Sequence, residues 1–185
     1  MSVLGGVLGI YVATAAMPSI SSRSELGIAV PKFRATALSG ERRTERDVVG
    51  QDTVLVITPT KGAAHECKLW GETLERKLPS RIALWALLAL ERPFFVPEKF
   101  FLRKAQEKVP ESLWGRTWLL MHGTIEKQLG VPEEAEEPYV FAFSSEGRIV
   151  ARTQGRVTDE KIDGIARALR CHAPAAQFTQ DMPAR

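Results

Sequence analysis

Cysteine is scarce in this sequence: there are two among 185 residues, Cys67 and Cys171, about a hundred positions apart. They form no C-x-x-C motif, no zinc quartet and no dense disulfide framework. Spacing along the chain does not reveal whether they could pair, and two unpaired thiols in a reducing or weakly oxidising compartment is the simpler reading. A one-sided charge is missing as well. Lys and Arg number 25 against 22 Asp and Glu, a net +3, and the short basic clusters (Arg42, Arg43, Arg46; Arg103, Lys104, Lys108) are interleaved with Glu. A nucleic-acid binder would show a basic stripe with aromatics between the charges, so nucleic acid is not the expected partner. Internal repeats are absent. With 44% hydrophobic and 25% charged residues the composition is globular, which excludes disorder throughout, a collagen-like chain and a multi-pass membrane protein. At this length folding buries about two-thirds of the unfolded surface, so no disulfide or metal staple is needed.

Charge is also lacking from the first 22 residues, where Val3 to Met17 is small and apolar. As a signal peptide this stretch has a hydrophobic segment and a small-residue site at Ala13-Thr14-Ala15 but no basic n-region. As a membrane span it is short and glycine-rich, although Gly5-x-x-x-Gly9 suits close helix packing in a bilayer. It is too poor in Arg for a mitochondrial transit peptide. Residues 1–30 are therefore expected to form an apolar arm or anchor with a linker from Ser21 to Val30, residues 31–170 one domain, and residues 171–185 a polar tail.

Within that domain Phe33 to Gly40 reads as a short strand ending in a turn, and Thr44 to Gly50 as a capped helical turn stopped by Gly50. Thr53 to Thr58 is a continuous β-branched run of the kind buried on both faces. Pro59 to Gly62 breaks it, and Cys67, Trp70, Leu74 and Leu78 then recur at helical spacing until Pro79. The apolar run within Arg81 to Phe95 favours a strand. Pro97 opens a helix reaching Val109, Thr117 to His122 reads as a strand, and Thr124 to Leu129 as a short helix. Tyr139 to Ser144 and Arg148 to Thr153 are strands joined by the turn Ser145-Glu146-Gly147. Thr158 caps a last helix, Asp159 to Leu169, with Asp159 and Glu160 at its positive end. The expected class is α/β, a central mixed sheet flanked by helices.

This order, with Glu137-Pro-Tyr-Val-Phe-Ala-Phe-Ser-Ser-Glu-Gly-Arg-Ile-Val150 and then Gly155, resembles the thioredoxin-like superfamily over roughly residues 31 to 169. The resemblance implies that the active-site turn follows the Thr53–Thr58 strand, at residues 61 to 68. It also implies that Pro138 takes the place of the proline whose cis peptide bond faces that turn and exposes backbone to a peptide. A redox thioredoxin needs a low-pKa cysteine at the helix start and a second three residues later. Aligning Cys67 with the second leaves Ala64 at the first, and Ala64 also stands where a peroxiredoxin needs Thr. The second half is similar to mitochondrial ATP synthase assembly factors, carried by Val109-Pro-Glu-Ser-Leu-Trp114, Ile125-Glu-Lys-Gln-Leu129, the Tyr139 strand and the Arg148-Ile149 hairpin. It departs from them at Pro138 and at Val150-Ala151.

Two functions follow as expectations. The first is a non-enzymatic accessory subunit or assembly factor of a mitochondrial inner-membrane complex, either the respiratory chain or ATP synthase. Its partners would be that complex's subunits, with membrane contact through residues 1–20 and a protein-binding surface that includes Phe100, Trp114, Pro138 and Tyr139. Aromatic anchors of this kind are frequent in interfaces, and no cofactor or metal is implied. The second, exported or periplasmic, is a thiol oxidoreductase or single-Cys peroxidase. It would use Cys67, with His65 as base and Lys68 lowering the thiol pKa. Against it stands a plain packing role for Cys67 on the helix face shared with Trp70 and Leu74. His65-x-Cys67 could supply only half a metal site, with His122 distant and no further ligands apparent.

Overall fold

The computed structural model describes residues 26–89, 97–120 and 124–172. The strands are β1 (Arg34–Ala37), β2 (Arg42–Thr44), β3 (Thr53–Thr58), β4 (Ala83–Ala89), β5 (Thr117–Leu120), β6 (Tyr139–Phe143) and β7 (Ile149–Gln154). The helices are α1 (Ala64–Lys77), α2 (Glu98–Gln106), α3 (Thr124–Gln128) and α4 (Asp159–His172). All seven strands join one sheet in the order β2-β1-β5-β4-β3-β6-β7. β3, β4 and β5 run parallel, while the β3–β6, β6–β7, β1–β5 and β1–β2 pairs are antiparallel.

β3 lies near the middle, and every one of its residues is buried. Its period-2 alternation still sorts the core into two layers. Val54 and Val56 join Trp70 and Leu74 of α1 and Ile162, Ile165 and Leu169 of α4 on one face. Leu55 and Ile57 join Leu87, Trp118, Phe141, Phe143, Ile125 and Phe33 on the other. Trp85 stacks on Trp118 with ring centroids 4.7 Å apart. The Trp70 indole N–H donates to the Gly155 carbonyl at 2.8 Å, which ties α1 to the loop that launches α4.

Local signals act as their chemistry predicts. The Thr44 hydroxyl accepts from the Arg46 N–H at 3.3 Å while the Asp47 carboxylate accepts from the Thr44 N–H at 2.8 Å, a capping box on a single 3-10 turn. Four expectations differ from the structure, the first being that the helix opened by Pro97 ends at Gln106 rather than Val109. Arg42–Thr44 forms an additional edge strand, because pairing with β1 satisfies backbone that loop residues would leave to water. Leu26–Val30 is no free linker: Ala29 bridges Arg148, the Gly27 N–H donates to Ile149 O at 2.8 Å and the Val30 N–H to Gly147 O at 2.7 Å, covering the outer edge where β7 begins. The last helix runs to His172 rather than Leu169. Expectations on residues 1–25, 90–96, 121–123 and 173–185, His122 among them, lie outside the described residues.

Gly147 closes the β6–β7 turn at φ +74°, and a Cβ there would stand 2.7 Å from Val49 Cγ2. Gly147→Ala is expected to cost about 2 kcal/mol through both conformation and overlap. Val49→Ala in the same chain should recover only the overlap. Urea unfolding of the two variants would check the order.

Candidate active-site turn

The turn expected to carry chemistry lies at the carboxyl end of β3. Pro59 cannot extend the strand's pairing, and residues 59–63 lead directly into α1. Ala63 stands at the N-cap without any side-chain cap, and Ala64, exposed, is the first helical residue. Cys67 follows one turn later, where its N–H donates to Ala63 O at 3.0 Å. Its side chain is only partly exposed and packs against the α1–α4 core layer. The thiol is directed back to the Ile57 carbonyl of β3, 3.7 Å away. Burial pushes its pKa from 9.0 to about 11, a hydrogen bond with Thr58 lowers it in part, and the Glu66 charge adds to the rise.

The helpers expected beside Cys67 are not assembled. His65 is exposed, and no hydrogen bond joins it to Cys67 among the described residues. Lys68 points to solvent, where it pairs with Glu72 at 3.8 Å, so it does not hold a thiolate. Residues at successive positions of an α-helix face different ways, and Cys67 has taken the inward one. The expectation of a lowered pKa is corrected: desolvation by burial outweighs the Thr58 hydrogen bond and raises it. Cys67 and Cys171 are both free.

Facing the turn is the acidic loop of residues 133–137. The Thr60 hydroxyl donates to Ala135 O at 2.9 Å, and the Glu136 side chain lies close over Gly62. The Glu137 carboxylate lies against Gly155, where a Cβ would come within 3.1 Å of it. Pro138 then enters β6, its carbonyl accepting from the Gly155 N–H at 2.9 Å. No cis peptide bond occurs among the described residues, so the bond before Pro138 is trans, contrary to what the resemblance implies.

Of the four residues expected to meet a partner, Pro138 and Tyr139 are buried. Tyr139 is in the core layer, with the Arg152 guanidinium 5.6 Å from its ring centre. Trp114 is half-buried and donates from its indole to Val109 O at 2.9 Å, so it packs under its own loop. Phe100 alone of the four is well exposed, at 44%. Two features were not anticipated. Thr60 links the turn to the acidic loop. Glu126 on α3 is buried, with Oε2 unbonded among the described residues and its pKa raised by desolvation. Neither has a one-dimensional signal, since Thr60 acts across 75 residues. No group of three or more His, Cys, Asp or Glu is placed to hold a metal ion among the described residues, and no described helix is long and apolar enough to cross a membrane.

No protein-family model matches the chain, and no curated protein sequence matches it. Solved structures do. An exposed lipoprotein thioredoxin from Streptococcus pneumoniae superposes with TM-score 0.54 at 14% identity, covering 76% of this chain and 98% of its own. The thioredoxin domain of a thiol-disulfide oxidoreductase from Bacteroides vulgatus gives 0.52 at 15%, covering 78% and 97%. BsSco, of the Sco family of cytochrome c oxidase assembly proteins, gives 0.55 at 12%, covering 80% and 98%. The chain has the thioredoxin-like α/β fold, a mixed sheet flanked by helices. These structures lend no support to the narrower likeness to ATP synthase assembly factors.

The raised thiol pKa has a signed consequence for stability. Below pH 9.0 Cys67 is protonated folded or unfolded. Between 9.0 and about 11 the unfolded chain loses this proton first, so stability falls as pH rises through that window. Comparison with Cys67→Ala by urea unfolding should show an excess loss of about 2 kcal/mol in the parent across it. Alkylation at pH 7 should modify exposed Cys171 well before Cys67.

Proposed function

We propose that this protein is a non-enzymatic thioredoxin-fold binding protein, an accessory subunit or assembly factor of a membrane-associated protein complex. One observation carries the reading: the turn has an alanine where an attacking thiol would stand, and its single cysteine faces inward. Ala64 is exposed at the first position of α1, and Cys67 is aimed at the Ile57 carbonyl with its proton held by burial. A disulfide exchange needs a thiolate that can reach a sulfur outside the protein, and this arrangement supplies neither the charge nor the access. What the fold still offers is a rigid sheet with a turn and an acidic loop pinned side by side.

An exported setting fits this reading better than the mitochondrial inner membrane. The Streptococcus pneumoniae structure is described as an exposed lipoprotein, and Val3 to Met17 supplies an uncharged apolar stretch that an exported or membrane-held chain would use. That BsSco belongs to an assembly-protein family supports the use of such a fold in building a membrane complex.

The neighbours also favour a second reading, thiol-disulfide exchange or single-Cys peroxidase chemistry through Cys67, because thiol-disulfide oxidoreductases are among the structures that superpose. The neighbours lean to this reading and the geometry of the turn to the first. Insulin reduction and peroxide consumption with dithiothreitol separate them. The first reading expects parent and Cys67→Ser to match the uncatalysed rate, with Ala64→Cys raising insulin reduction by restoring a thiol pair. Turnover by the parent that Cys67→Ser abolishes would establish the second reading.

A further inference from the structure

α2 is held to the sheet along one side. Near its start the Glu98 carboxylate accepts from the Thr36 hydroxyl at 2.6 Å, and at its end the Gln106 amide donates to Leu38 O at 2.6 Å. Ala105 is the buried residue between them. With both ends pinned, helical spacing turns Phe100, Arg103, Lys104 and Glu107 to the outside, flanked by Lys99 and Lys108. All six are exposed. Phe100 rests edge-on against half-exposed Phe101 at 5.9 Å, and the Lys104 ammonium lies 5.7 Å from its ring centre. Among the described residues Lys99, Arg103, Lys104 and Lys108 make no ion pair, so their charges are not neutralised by neighbouring carboxylates. One acid, Glu107, shares this face.

We propose that the outward face of α2 is a docking surface for an anionic lipid bilayer, Phe100 entering the headgroup layer and Lys99, Arg103, Lys104 and Lys108 meeting lipid phosphates. A short helix with an aromatic at its outward pole and cations on both flanks matches the interfacial layer, where rings sit below the phosphates and long basic side chains reach back to them. Charge complementarity selects an anionic surface. Lipid is favoured over an acidic protein or a nucleic acid because the chain carries further membrane-seeking sequence: Pro93-Phe94-Phe95-Val96 stands directly before the helix, and Val3 to Met17 is apolar and uncharged. A base-stacking role is also disfavoured, since Phe101 and Lys104 already occupy sides of the Phe100 ring.

Co-sedimentation of the full chain with phosphatidylcholine vesicles, and with vesicles containing about 30% phosphatidylglycerol, tests this. Partition through Val3 to Met17 would be common to both vesicles, so the ratio between them is the quantity read. The expected ratio is about ten or more at low salt, collapsing at high salt. Arg103→Glu with Lys104→Glu should bring it near one. Arg76→Glu with Arg167→Glu, exposed positions on α1 and α4 carrying the same change in net charge, should leave most of it. Phe100→Ala should weaken binding to the anionic vesicles about five- to ten-fold. Circular dichroism would verify that each variant is folded. A ratio of one for the parent, as a protein or nucleic-acid partner would leave it, overturns the proposal. So does a ratio lost equally in both charge-reversal pairs, or binding indifferent to Phe100→Ala.

Discussion

Burial of β3 on both faces is the constraint to which the remaining structure answers. A strand in this position must be flanked by partners on both edges and covered on both sides. β4 and β6 supply the edges, and the α1–α4 layer and the Phe33–Trp118–Phe141 layer supply the covers. Pro59 releases the chain where the sheet ends, and the chain must turn at once into α1 to cover the face it has just left. That geometry brings Cys67 beneath the end of β3, within reach of the Ile57 carbonyl.

The same placement sets the thiol's chemistry. A cysteine at a helix start and open to water gains from the helix dipole and from nearby cations. One turn further in, the cysteine exchanges water for the packed side chains around Val54 and Val56, and the neutral form is favoured. The position that would keep the charged form, Ala64, has no sulfur. The scaffold found in thiol-disulfide proteins is present in this molecule, with alanine at the first position of α1 and Cys67 turned toward the Ile57 carbonyl.

Much of this was legible in one dimension. The β3 run, the α1 periodicity, the β4 strand chosen over a helix, the hairpin closed by Gly147 and the capped α4 all carry short-range signals: branching, spacing, a proline, a glycine at φ +74°. The missing first cysteine was equally plain. What escaped were pairings between distant segments, such as Leu26–Val30 along β7 or the Thr60 bond to Ala135. No local pattern encodes them, because each strand or hydroxyl is satisfied by whichever partner the fold brings near.

The candidate partner surface divides in the same way. Residue type nominated Phe100, Trp114, Pro138 and Tyr139 alike, since an aromatic or a proline is compatible with either a core or an interface. Only packing told them apart. Tyr139 alternates inward on a strand covered on both sides, and Trp114 satisfies its indole on its own loop. Phe100 is turned out because Glu98 and Gln106 fasten the opposite side of α2 to β1 and the segment after it. By itself the sequence determined the order and kind of most elements and the absence of a C-x-x-C motif, because spacing and residue identity are properties of the chain alone. Which side chains meet water, and whether Cys67 can ionise near neutral pH, were decided by the tertiary structure, because exposure and desolvation exist only once distant segments have packed together.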